Sequence, residues 1–205
     1  MIRSALAPVL VVLSLCAAAP LSAQTWSAHA LGDEEAVPVR TRYLLIGPGG
    51  GAVTDEDFRG RFQLITFGYT ACPDVCPTTM LELAEVLRLL DDHADDLQGI
   101  FITLDPERDT PEALKTYTAF FDPRILGLSG TPELIQRAAG NFKVRYAKVP
   151  DTTGSGFYAV DHSAGLYLIG TGGEFIKKFA YGTPASTIAS EIRSVMTAGQ
   201  GDITG

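Results

Sequence analysis

Apolar residues fall into short blocks along the chain, and the spacing within each block separates strand from helix. Tyr43 to Ile46 and Ala52 to Thr54 flank Gly49-Gly50-Gly51, which predicts a β-hairpin. Asp57, Phe58 and Gly60 then turn the chain into an apolar strand, Phe62 to Gly68. Beyond it Leu83, Val86, Leu87 and Leu90 recur at i, i+3, i+4 and i+7, the period of one helical face. Ile100 to Leu104 reads as a second buried strand.

Three later helices share a start signal. Thr110-Pro111, Thr131-Pro132 and Thr183-Pro184 each set a capping hydroxyl before a proline at the first helical position, where the missing N–H costs nothing. Apolar stripes follow each: Leu114, Tyr117, Thr118 and Phe121; Ile135, Ala138, Ala139 and Phe142; Ile188, Ile192 and Val195. Between the second and third helix lie Leu166 to Ile169 and Phe175 to Phe179, a further hairpin joined through Gly172-Gly173. The order is hairpin, β-α-β-α, short strand, α, hairpin, α. A β-α-β half followed by a hairpin and a final helix predicts an α/β, thioredoxin-like fold, with an N-terminal hairpin and inserted helix and strand elements.

The chain start changes the picture of where this domain works. Arg3, the apolar run Ala5 to Ala19 and small residues up to Ala23 form the pattern of a secretory signal peptide over residues 1–23. Ser4 to Ala23 is also long enough to span a bilayer, so an uncleaved anchor is the alternative. Pro8, Pro20 and the Ala/Ser-rich end favour cleavage. Residues 24–40, with Asp33, Glu34, Glu35 and Pro38, read as a linker to a domain over residues 41–200. The expected location is the periplasm, or the inner membrane facing it.

Loss of residues 1–23 would remove Arg3 and no acid, taking the formal charge from −8 to −9. So acidic a domain, with no basic cluster, will not hold nucleic acid through its phosphates. The same cleavage discards Cys16 and leaves Cys72 and Cys76 as the only thiols. A lone pair in an oxidising compartment is a disulfide, a redox couple or a metal clamp. As a staple it would close only a short loop and restrain the unfolded chain little.

Cys72 and Cys76 sit where the strand Phe62–Gly68 runs into a helix. Unpaired N–H groups and the macrodipole at a helix start stabilise a thiolate there. Redox enzymes of this fold usually separate their cysteines by two residues; here there are three, which widens the bite towards two thiolates on one ion. His162 lies just before the strand Leu166–Ile169, in a loop that faces the cysteines in a thioredoxin fold. His93, after Asp91-Asp92, and His29, in the linker, read as surface residues. Two thiolates and an imidazole suit a soft or borderline ion. Structural zinc asks for four ligands, whereas Cu(I) accepts three. Haem attachment needs Cys-x-x-Cys-His, which is absent. A peroxiredoxin is excluded because Thr66 and Tyr69 stand where its proline and threonine would be.

Three segments carry a family resemblance: Gly68 to Pro77, Asp105 to Pro111, and Val160 to Ser163. In order and spacing they resemble the signature segments of the SCO/SenC copper-assembly family, over about Tyr43 to Met196. The resemblance implies one copper per chain, Cu(I) or Cu(II), on Cys72, Cys76 and His162. It also implies delivery of copper to the binuclear copper centre of cytochrome c oxidase, or reduction of that centre's cysteines. The expected partner is the copper-bearing oxidase subunit, with another periplasmic copper chaperone as a second. The sequence departs from the family at Ala71, where a polar residue or histidine is frequent. Asp105 to Pro111 is explained locally by a strand end and the Thr110 cap. Asp74 is expected beside the metal without ligating it, and Phe67, Tyr69 and Tyr167 as core and pocket wall. A thiol-disulfide reductase using Cys72 and Cys76 without metal is the competing function.

Overall fold

Two short strands, β1 (Leu44–Ile46) and β2 (Ala52–Thr54), pair antiparallel around a turn in which Gly50 takes a φ of 76°, open to glycine without strain. The computed structural model describes residues 38–93, 95–150 and 158–200. The expected leader, most of the linker, Cys16 and His29 lie outside them. Among the described residues no helix is long and apolar enough to cross a membrane.

The chain continues through β3 (Phe62–Gly68), α1 (Val75–Leu89), β4 (Leu97–Thr103), α2 (Pro111–Phe121), β5 (Ile125–Leu128) and α3 (Pro132–Asn141). It ends with β6 (Tyr146–Pro150), β7 (Tyr158–His162), β8 (Leu166–Ile169), β9 (Phe175–Phe179) and α4 (Ala185–Gln200). Five strands form the central sheet in the order β5-β4-β3-β8-β9. β3, β4 and β5 run parallel, while β8 is antiparallel to β3 and β9 to β8. This is the α/β, thioredoxin-like plan that the order of elements predicts.

Both faces of the sheet are covered, which is why β3 and β4 are near-continuous apolar runs. Leu64 and Phe101 face a core built with Met80, Leu83 and Val86 of α1, Leu114 of α2, and Ile188 and Ile192 of α4. Ile65, Phe67, Ile100 and Ile102 face the other core, closed by Ile135, Ala138 and Ala139 of α3 and by Leu45 of β1. Each such large aliphatic side chain contributes about 1.5–3 kcal/mol on burial. α1 is therefore held against the sheet along its length, and its first turn is a fixed platform.

Two of the three expected caps form. The Thr110 hydroxyl accepts from the Ala113 N–H, and that of Thr131 from the Leu134 N–H. Thr183 departs: its hydroxyl donates back to the Ala180 carbonyl at 2.8 Å, and α4 begins two residues later.

The larger correction concerns the segment before β8. β6 and β7 form a two-stranded antiparallel ribbon of their own, with Tyr146 opposite His162 and Pro150 opposite Tyr158. His162 is the last residue of β7 and not part of a loop entering β8. Only Val160 in the ribbon is deeply buried, so neither strand carries the apolar alternation that would have revealed it.

Candidate metal centre

At the C-terminal end of the sheet, the Gly68 carbonyl accepts from the Leu104 N–H at 2.7 Å, and the chain then leaves β3 for α1. Cys72 precedes the helix, and Cys76 lies inside its first turn. The Cys76 N–H points at the Cys72 sulfur, 3.5 Å away, and the Asp74 N–H also supports it. Burial pushes the Cys72 thiol up, but these amides, the Cys76 thiol and the Tyr69 hydroxyl outweigh it and hold its pKa below the ordinary thiol value. Cys76 is only 2% exposed. Burial pushes its thiol well up, and the charges of Cys72 and Asp109 add to this. One cysteine is thus poised to ionise while the other keeps its proton.

His162 comes from the end of β7. Its Nε2 lies 3.3 Å from the Cys76 sulfur and its Nδ1 3.3 Å from the Ser163 carbonyl. A carbonyl can only accept, so Nδ1 carries the hydrogen and Nε2 turns a lone pair towards Cys76. Burial lowers the imidazole pKa, more than the Ser163 carbonyl and Asp161 raise it, and the ring is neutral near pH 7. The Tyr69 ring stands edge-on to it, 6.3 Å between centroids. A cleft of about 410 Å³ opens beside His162, lined also by Arg145, Tyr146 and Asp161.

The structure therefore brings all three expected ligands together, as two pairwise contacts that share Cys76. No three His, Cys, Asp or Glu side chains among the described residues are already drawn up around one point. A thiolate-prone sulfur, a second sulfur and a neutral imidazole nitrogen nevertheless match what a soft or borderline ion takes. His93 lies elsewhere, 3.2 Å from Asp96. Asp74 is exposed, without a side-chain capping bond. Phe67, Tyr69 and Tyr167 are buried, as expected.

Sequence reasoning missed Asp109. Besides preceding the Thr110 cap, its fully buried carboxylate accepts from the Thr70 N–H at 3.0 Å and the Thr70 hydroxyl at 2.6 Å. The Thr103 hydroxyl donates to it as well, at 2.6 Å. Asp109 thereby ties the turn before Cys72 to the end of β4. No local pattern signals the tie to Thr70, because it lies 39 residues away in the chain.

A sequence model described as SCO1/SenC matches residues 32–197. A SCO2-like protein of Rickettsia felis is 38% identical over 146 residues, 71% of this chain and 71% of that protein. The human mitochondrial SCO1 homolog is 39% identical over 149 residues, 72% of this chain but 49% of that protein. Among solved structures, Bradyrhizobium japonicum ScoI with copper bound is similar at 41% identity and a TM-score of 0.69, covering 75% of this chain and 96% of that one.

Proposed function

The chain belongs to the SCO1/SenC family, and on that premise we propose that it carries one copper ion, as Cu(I) or Cu(II), on Cys72, Cys76 and His162. Its recipient is the copper-bearing subunit of cytochrome c oxidase, with another periplasmic copper chaperone as the source. The observation that carries this reading is the 3.3 Å contact between the Cys76 sulfur and His162 Nε2, from segments 86 residues apart. A plain thiol-disulfide pair has no need of a neutral imidazole aimed at its buried sulfur. The copper-bound relative supports the same ion.

In this reading Cys72, the readily ionised and half-buried sulfur, meets the ion first. Cys76 then gives up its proton, so loading releases acid. His162 needs no deprotonation, because Nδ1–H is already held by Ser163. Transfer runs the other way: a partner's sulfur takes the ion and Cys76 regains a proton. The place of work is the periplasm, or the inner membrane facing it, reached through residues 1–23 as signal peptide or anchor.

A second reading is favoured by the split between the two thiols. A thiol-disulfide reductase needs one sulfur that attacks as thiolate and one that resolves, and Cys72 and Cys76 divide in that way. His162→Ala and Cys72→Ser in a strain lacking the native protein separate the two. Carriage of copper predicts failed oxidase assembly in both at low copper, with excess copper rescuing only His162→Ala. Full assembly by His162→Ala at low copper overturns the ligand set and leaves the reductase.

A further inference from the structure

The ribbon that carries His162 belongs to neither core in the way the central strands do. β6 and β7 hydrogen-bond only to one another among the described strands, and a lone two-stranded ribbon is marginal in water. Val160 anchors its middle, 3% exposed, and its backbone amide lies against the Tyr69 hydroxyl. At the His162 end the ribbon is closed on itself by Ser163 N–H to the Arg145 carbonyl at 2.9 Å and Arg145 N–H to the Ser163 hydroxyl at 3.2 Å. It reaches outward through the Val144 N–H to the Ala139 carbonyl at 2.8 Å and through His162 itself, 3.3 Å from the Cys76 sulfur. Among the described residues, no backbone hydrogen bond at this end joins β7 to the segment that carries the cysteines.

The opposite end is held by the turn Asp105–Arg108, which leaves β4. Asp105 is fully buried and receives Arg108 Nε on one oxygen and the Tyr158 hydroxyl on the other, the latter at 2.6 Å. Arg108 Nη1 donates to the Tyr158 carbonyl at 3.1 Å, and the guanidinium lies 3.9 Å from the centre of the Tyr158 ring. The same guanidinium is 5.5 Å from the Tyr69 ring, which flanks both His162 and the Cys72 sulfur. Lys148 of β6 reaches Glu107 of the turn at 2.7 Å. Both strands of the ribbon are thus fastened to one turn, and Tyr158 and His162 are the two ends of β7.

We propose that the Asp105–Arg108 turn is a latch that sets the position of His162, by pinning the β6–β7 ribbon to the end of β4 and so fixing the imidazole against the Cys76 sulfur. Arg108 is a positioning residue and touches no ion itself. Its chemistry cannot be supplied by lysine. Nε and Nη1 serve two different acceptors while the flat face lies on Tyr158, and an ammonium has neither the fork nor the plane. Cys76 sits in the first turn of α1 and Cys72 in the turn before it, so the latch acts on the one ligand that the ribbon carries. The inference rests on His162 being a copper ligand.

The test places Arg108→Gln, Arg108→Lys and Tyr158→Phe in the wild-type and His162→Ala backgrounds. Two quantities are read: Cu(II) affinity by chelator competition, and backbone amide exchange of the metal-free protein. Arg108→Gln is expected to weaken copper about 10–100-fold, the range for residues that orient a ligand. Arg108→Lys should recover little, and Tyr158→Phe, the milder change, should lose less. In the His162→Ala background none of the three should cost more, because the ligand they position is gone. In the metal-free protein, amides of β7 should exchange faster while those of β3 and β4 do not change. Equal losses in both backgrounds, or unchanged affinity with unchanged exchange, would overturn the latch. If His162→Ala alone leaves copper affinity intact, the ligand reading fails, and the exchange data judge separately whether Arg108 holds the ribbon.

Discussion

Gly68 faces Cys76 so closely that a β-carbon at position 68 would lie 2.8 Å from the Cys76 sulfur and 2.9 Å from Phe101 Cε2. The buried sulfur thus occupies space that any other residue at the end of β3 would fill. Gly68→Ala must push Cys76 towards solvent or Phe101 into its core. Overpacking of this kind costs about 1–3 kcal/mol. Copper affinity and thermal midpoint should fall together. Gly49→Ala, where a β-carbon meets nothing within 4 Å, is the control and should change neither. An unaffected Gly68→Ala protein would mean that Cys76 is free to move.

The unequal thiols predict a pH-dependent labelling order. Cys72 has its pKa lowered in the fold and Cys76 has its own raised. Below the ordinary thiol pKa of about 8.5, iodoacetamide should therefore modify Cys72 and spare Cys76 in the metal-free protein. The linked effects on stability have opposite signs. The Cys72 contribution is complete above about 8.5 and is lost as pH falls through its folded pKa. The Cys76 contribution is present below about 8.5 and is lost as pH rises towards its folded pKa. Peptide mapping after brief labelling checks the order, and preferential modification of Cys76 would refute it.

Elements buried on a continuous face were legible in the sequence. β3 and β4 carry apolar runs because a core covers each face of the sheet, and α1 carries a stripe because one of its sides packs on that sheet. The β6–β7 ribbon was not, because a ribbon outside the sheet needs only Val160 inside and shows no period. Cys72, Cys76 and His162 were readable as rare residue types at a strand end, a helix start and the approach to β8. Asp109 and Arg108 were not. Their local reading, a strand end before a capped helix, is complete without the long-range bonds to Thr70 and Tyr158.

Those bonds make Asp109 a test of how firmly the cysteine turn is held. Asp109→Ala would strand the Thr70 N–H and two hydroxyls near the site, at about 1–3 kcal/mol for a buried unpaired group. Asp109→Asn should cost less, since its carbonyl still accepts and the hydroxyls can rotate. Both remove a charge that raises the Cys76 pKa, so alkylation of Cys76 at high pH should quicken. Urea unfolding gives the first ranking and labelling the second. Equal stability of wild type and Asp109→Ala would dismiss the tether.

Copper and oxidation should compete for the same two sulfurs. Both cysteines are free thiols in the structure, with the Cys76 amide 3.5 Å from the Cys72 sulfur. In air the metal-free pair should close to an intramolecular disulfide, the two thiols giving up two electrons and two protons to oxygen. On the proposed ligand set, bound copper should block this by occupying both sulfurs and should stabilise the folded state by mass action. In protein without residues 1–23, and so without Cys16, counted thiols should then be two with copper, none after chelation and exposure to air, and two again after reduction. Copper should also raise the thermal midpoint of wild type but not of Cys76→Ser, whose hydroxyl is a poor ligand for this ion. Chelated protein that keeps both thiols in air would show the sulfurs held too far apart to bond. A Cys76→Ser protein still stabilised by copper would remove Cys76 from the ligand set.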